Sequence, residues 1–212
     1  MRVKTFLSLI LPLFLSSIAT AQDSQPVVGR DAAAKYFQPR DTASSSSFNT
    51  GGGPSDHYLA LHFGRYMASQ SYDWGKNGQE DDVGKNQFGV TYRVGEWYNS
   101  MDMLLRIDYS EYDLGGETPN KLAFVPMIMF PDATSRFPLY FGAGAGLGVF
   151  FKQASGKSAL SLDYQVVAGA RFFNIFENTG FFIEAGLKNH LLILSSGQFN
   201  GTFLATGLVF TF

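Results

Sequence analysis

Asn200-Gly201-Thr202-Phe203-Leu204-Ala205-Thr206-Gly207-Leu208-Val209-Phe210-Thr211-Phe212 is the stretch on which the fold turns. Counting back from Phe212, alternate residues are Phe210, Leu208, Thr206 and Leu204, and the other phase holds Thr211, Val209, Gly207, Ala205 and Phe203. A two-residue period is that of a β-strand, whose successive side chains point to opposite faces. One face here is large and apolar, the other smaller and mixed. At the edge of a water-soluble sheet such a strand would template aggregation. In lipid the same strand is tolerated, provided that its backbone is paired on both sides.

The alternation recurs upstream. Segments of roughly ten residues lie at 57–69, 86–97, 101–112, 121–130, 138–151, 160–173, 180–192 and 201–212, divided by turn residues. That is the signature of membrane-spanning strands, each too short and too polar on one face to be a helix. The expected fold is therefore all-β, an eight-stranded antiparallel transmembrane up-and-down β-barrel over residues 56–212. An even number of strands brings both ends of the barrel to one side. The connections after the first, third, fifth and seventh segments then share the other side. The longest of them, Gln70 to Lys85, carries Asp73, Glu80, Asp81 and Asp82 beside Trp74.

Composition agrees. The 212 residues include 21 Phe, 10 Tyr and 23 Gly, and 16% are charged. A net charge of −2 offers nothing for nucleic acid, and without Cys no disulfide can staple the chain. Residues 1–21 read as an export signal: Arg2 and Lys4, an apolar run from Phe6 to Ile18, then Ala19-Thr20-Ala21. No Cys follows for a lipid anchor. Residues 22–55 read as a flexible periplasmic segment. Its Asp31 to Phe37 stretch suits one or two helical turns, as a plug at the barrel mouth or as plain tail, before a Ser- and Gly-rich linker.

Alternation also sorts the faces. Phe88, Val90, Tyr92 and Val94 point to lipid, as do Met103, Leu105 and Ile107, Leu162 to Phe172, and Phe181 to Leu187 in alternate positions. The lumen receives Arg93, Arg106, Arg171 and Lys188 against Asp102, Asp108, Asp163 and Glu184, four charges of each sign. Diagonal neighbours across the turns would be Arg93 with Asp102, Arg171 with Glu184, and Lys188 with Asp163. Buried charges persist only when paired, and eight strands enclose a lumen that side chains can fill. A plugged, ion-paired lumen is expected rather than an open pore.

The fourth segment, Leu122 to Phe130, is apolar on both faces, and the fifth sets Gly142, Gly144, Gly146 and Gly148 in one row. With Val125, Met127 and Met129 this row outlines an apolar cavity, with a weak lateral opening at Pro126, or simply makes room for bulky neighbours. Arg65 falls in the lipid-facing phase, where it snorkels outward unless a bulge turns it in. Aromatics at segment ends suggest interfacial girdles: Trp97, Tyr98, Phe172, Phe173, Phe181, Phe210 and Phe212 at one end, and Tyr66, Trp74, Tyr109, Tyr112, Phe150 and Phe151 at the other.

With these features over residues 56–212, the chain resembles the small eight-stranded outer-membrane barrels, such as OmpX, OmpW and the membrane domain of OmpA. The resemblance implies a bacterial outer-membrane location and contact with outer-membrane lipid, including lipopolysaccharide. It also implies that Leu208, Phe210 and Phe212 form the signal read by the outer-membrane assembly machinery. Some barrels of this size are enzymes. The lipid A deacylases use a His with a Ser two residues on, but His190 is followed at that spacing by Leu192. The Asp81-Asp82 pair is similar to the acidic pairs of outer-membrane proteases, without an outer-loop His. No catalytic residue, metal site or cofactor is expected, although Asp81 and Asp82 suit loose binding of a divalent ion. The expected role is structural or surface-interacting, with a protein partner reached through the outer loops. The alternative is a narrow channel or cavity for a small apolar molecule.

Overall fold

The computed structural model describes residues 57–73, 79–98, 100–135 and 137–212. The expected signal peptide, the 22–55 segment with its 31–37 stretch, and Trp74 lie outside these residues. Nine strands follow in order: β1 Tyr58–Tyr72, β2 Gln79–Asp81, β3 Gly84–Glu96, β4 Asp102–Tyr112, β5 Asn120–Phe130, β6 Leu139–Lys152, β7 Leu160–Phe176, β8 Thr179–Leu192 and β9 Gln198–Thr211. Each long strand pairs antiparallel with the next, and β9 pairs back onto β1 from Tyr58↔Thr211 to Tyr72↔Gln198. β2 only lengthens the far end of β1, through Gln70↔Asp81 to Tyr72↔Gln79. The result is a closed eight-stranded barrel with no free edge.

Six of the seven connections between the long strands follow the turn residues to within a few positions. The connection between β7 and β8 is tighter than the turn expected over 174–179. β7 runs on to Phe176 because Asn174 takes a left-handed conformation, φ 52°, and absorbs a register shift between Phe172 and Phe176. Asn is among the few residues that adopt this conformation readily, so a loop-forming residue here sits within a bulged strand.

Alternation decides burial along every strand. In β5, for example, Lys121, Ala123, Val125, Met127 and Met129 are buried inward, while Phe124, Pro126 and Ile128 are exposed. The exterior is correspondingly greasy: Phe141 is 58% exposed, Val166 53% and Leu187 59%. A continuous apolar belt of this kind belongs in lipid, not water. β9 conforms, with Leu204, Leu208 and Phe212 outward and Phe203, Ala205 and Val209 buried.

Two details concern the end opposite the termini. Arg65 points outward, because the β1 bulge falls between Tyr66 and Ala68, just beyond it. Asn86 lies opposite Arg65 and donates from Nδ2 to Glu111 at 3.2 Å; Asn120 and Lys152 carry the polar line onward. Directly beneath, Phe63, Phe88 and Tyr109 stack at 6.3 and 5.1 Å. A polar collar over an aromatic row marks a membrane boundary. Three expected girdle members are not in it: Tyr66, Tyr112 and Phe150 share the phase of the inward residues and are buried in the lumen with Phe199. At the terminal end Trp97, Tyr98, Phe181 and Phe212 are exposed as a girdle requires, whereas Phe173 is partly buried and packs on Tyr58.

Candidate functional site

The lumen is built from inward side chains of all eight long strands, and its charges lie in four tiers. Nearest the termini, Arg93 Nε donates to Asp102 Oδ1 at 2.7 Å, and the Ala133 amide donates to Asp102 Oδ2 at 2.7 Å. Arg171 approaches Asp102 at 3.9 Å, donates to the Tyr58 hydroxyl and the Pro131 carbonyl, and lies over the rings of Tyr58, Tyr140 and Phe173.

In the second tier Arg106 grips Glu184 with both terminal nitrogens, at 2.7 and 2.9 Å, and donates from Nε to Thr91 at 3.0 Å. Tyr140 donates to the same carboxylate at 2.9 Å. The third tier joins Asp108 to Lys188 at 2.6 Å and to His62 at 2.8 Å, and Lys188 also donates to Gln87 at 2.7 Å. In the fourth, Lys121 donates to Asp163 at 2.7 Å and meets His190 Nδ1 at 2.5 Å, and Ser161 supports Asp163. Tyr66 links His190 Nε2 to Tyr112 at 3.2 and 3.3 Å, beneath Phe150 and Phe199.

Arg93 and Asp102 meet along neighbouring strands, in the pairing expected from the turn. The other two expected pairs do not form. Glu184 goes to Arg106 and not to Arg171; Lys188 goes to Asp108 while Asp163 takes Lys121. The reason is geometric. β4 and β8 face one another across the narrow lumen, so long side chains span the interior faster than they bend along the wall. Lys121, Tyr58, Tyr140, His62 and His190 complete the tiers. Lys121 was legible as an inward charge from its phase with Val125, Met127 and Met129, but it stands one residue before the apolar run.

Of the two readings of the glycine row, the packing at the glycines favours making room for neighbours. Gly142, Gly144 and Gly146 do turn inward, but the space before them is taken: a methyl added at Gly144 would lie 2.5 Å from Met127 Cγ and 3.0 Å from Val125 Cγ1. The β5–β6 register is the same on both sides of Pro126, from Phe124↔Leu147 to Met127↔Gly144, so the wall does not slip there. One void, of about 10 Å³, lies among Asp108, Gln165, Lys188 and His190; another, of about 20 Å³, lies by Arg106, Tyr140 and Arg171. Each has room for about one water molecule.

Neither His190 nor His62 reaches the exterior; both are buried in the tiers. His57 stacks with Tyr92 and Phe212 at the terminal end. Among the described residues no cluster of His, Cys, Asp or Glu is arranged to hold a metal ion. The loops opposite the termini are tied together. Glu117 receives the Ser155 amide at 2.7 Å and its hydroxyl at 2.5 Å, Gly115 donates to Glu80, Lys157 pairs with Asp73, and the Ser158 amide donates to Ser195. The two Ser155 bonds hold the Glu117 carboxyl below its usual pKa.

No protein-family model matches the sequence, and no curated protein is detectably similar to it. Solved structures give a likeness of fold. Neisserial surface protein A is 16% identical, with 76% of this chain and 100% of that chain covered at a TM-score of 0.47. The N-terminal β-barrel domain of Pseudomonas aeruginosa OprF is 15% identical, with 74% and 99% covered at 0.41. The outer membrane enzyme PagL is 16% identical, with 71% and 97% covered at 0.43.

Proposed function

We propose that this chain is a bacterial outer-membrane barrel with a plugged, ion-paired lumen, which acts through its surface and not through chemistry of its own. The observation that carries this reading is the lumen itself. Each of the four paired lumenal carboxylates is held by a cation at hydrogen-bond distance, and two voids among the tiers each have room for about one water. A conducting pore would leave charges facing water; a plugged one pairs them.

The apolar belt supports placement in lipid, and the longer, cross-linked loops opposite the termini are those facing outward. Leu208, Phe210 and Phe212 line the outer face at the terminal end, where the assembly machinery can read them. The inward burial of His62 and His190 supports the non-enzymatic reading, since an acyl chain in the leaflet cannot reach either. The alternative of a small apolar channel needs the space before the glycine row, which Met127 and Val125 occupy.

The absence of Cys makes a direct test simple. Ala205→Cys, inward and buried, should resist a membrane-impermeant thiol reagent in intact barrels, while Thr206→Cys, outward, serves as the labelling control in detergent. Rapid labelling at 205 would overturn the plugged reading.

A further inference from the structure

The apolar belt is not level around the barrel. Phe63, Phe88, Tyr109 and Leu122 form one rung, and one step beyond it the outward residues of β1, β3, β4 and β5 turn polar, at Arg65, Asn86, Glu111 and Asn120. On β6 and β7 no such change occurs. The outward phase of β6 runs Leu147, Val149 and Phe151; that of β7 runs from Val166 through Tyr164 and Leu162 to Leu160. Neither row contains a charge or an amide side chain. On β8 the half-buried Asn189 interrupts the phase before Leu191 and, just past the strand, Ile193 resume it.

Strand register shows how far this carries the belt. From Leu61 a rung passes through Val90, Ile107, Phe124, Leu147, Leu162, Leu191 and Gln198 and returns to β1 at Tyr72. It closes eleven positions further from the termini, one of them taken up by the bulge, because the strands are inclined to the barrel axis. Each step between neighbouring strands therefore climbs roughly 1.25 positions. The rung of Phe63 continues through Val149 to Leu160. Five steps on, Leu160 stands about four positions beyond Arg65, which is about 10 Å along the axis at the usual rise and tilt.

The raised surface ends in the β8–β9 connection. Ile193-Leu194-Ser195-Ser196-Gly197 contains no charged residue, whereas the other connections at that end carry Asp73 and Glu80, Asp113 and Glu117, or Lys157. Leu194 is 76% exposed and Phe151 67%. The Ile193 amide donates to the Leu160 carbonyl at 3.0 Å, and the Leu192 amide to Gly197 at 3.1 Å, so both meet an apolar surrounding already satisfied. A contiguous apolar patch of this kind marks a contact surface. Continuity selects what covers it. Phe151 and Leu160 prolong the lipid-facing rows of β6 and β7 with no polar residue between, so the acyl chains that cover those rows extend over them.

We propose that the hydrocarbon of the outer leaflet climbs over β6–β8 as far as the β8–β9 connection, where Ile193 and Leu194 anchor the barrel among the acyl chains. A belt taller on one side is met by a lean of the barrel or by local thickening of the leaflet. The proposal rests on the outer-membrane placement of the barrel but not on the state of the lumen.

The test is electron paramagnetic resonance of a nitroxide attached to Leu194→Cys or Phe151→Cys, with Val166→Cys in the belt and Arg65→Cys at the collar as references, in barrels refolded into phosphatidylcholine vesicles. Collisions with oxygen, relative to those with a water-soluble nickel chelate, should be higher at 194 and 151 than at 65 by about threefold or more, because a polar chelate is excluded from hydrocarbon. An unchanged electrophoretic shift on heating will show that each variant has folded; Ile193→Cys replaces either one that has not. Access by the nickel chelate at 194 and 151 as high as at 65 would overturn the proposal, because water would then cover the patch. Low access by both reagents would also overturn it, since a protein neighbour or a second copy would then lie there. Nickel access at 166 would overturn the placement in lipid itself, so the two failures are distinguishable.

Discussion

Removing Glu184 while leaving Arg106 in place is the sharpest energetic test of the lumen. Glu184 is 1% exposed and Arg106 2% exposed. The carboxylate accepts both terminal nitrogens of the guanidinium and the Tyr140 hydroxyl. In Glu184→Leu the guanidinium keeps its Nε bond to Thr91 but faces hydrocarbon where its counter-charge stood. Breaking a buried pair from one side costs about 3–5 kcal/mol, because an uncompensated charge is left behind. The same pair in a water-filled pore would be worth about 0–1 kcal/mol, since solvent takes over the partner's role. The two readings therefore differ by several kcal/mol in one measurable quantity. Reversible urea unfolding in lipid vesicles, followed by the electrophoretic shift of the folded barrel, reads it out. Arg106→Met combined with Glu184→Leu should recover most of the loss, as apolar replacement of a whole buried pair is often near neutral. A single-variant loss below about 1 kcal/mol would refute the dry, paired lumen.

Four further outcomes are expected. Gly144→Leu should cost about 1–3 kcal/mol in the same unfolding assay, because Met127 and the Pro126 carbonyl already occupy its space. Ile183→Arg, on the lipid face of β8, should cost about 2–4 kcal/mol if the site is near midplane, while Arg65→Leu at the polar collar should change stability little. Glu117 has a folded pKa below its unfolded one, so its link to Ser155 is fully present above the ordinary glutamate value, about 4.3, and is lost only as pH falls through the lower folded value. The Ser155 amide resonance should titrate with a midpoint below that of free glutamate. Deleting Phe212 should reduce the amount of barrel inserted in cells but not its refolding in vitro, since the residue is largely exposed, with its ring stacked on His57 and Tyr92.

The strands and their faces were legible because a barrel wall obeys one local rule: phase along the strand decides lipid or lumen. Leu204, Leu208 and Phe212 on β9, or Asp102, Arg106 and Asp108 on β4, can be placed by counting in twos. Partnership across the lumen obeys no local rule. Arg106 reaches Glu184, 78 positions on, because eight tilted strands bring β4 opposite β8, and sequence distance carries no record of that. Diagonal neighbours across a turn are local, and Arg93 with Asp102 is the pair found that way. The same limit explains the glycine row: its inward face is evident from period, but only the positions of Met127 and Val125 show that the space is filled. Tyr66, Tyr112 and Phe150 show that nearness to a strand end is a weaker guide than phase: all three lie in the inward phase and are buried.

A plugged lumen passes no ions, a claim that conductance across a planar bilayer can check. Purified, refolded barrel inserted at neutral pH should give no steady channel steps above the bare bilayer, and Glu184→Leu with Arg106→Met should remain silent as well. Reproducible unitary conductance from the unmodified chain would contradict the claim.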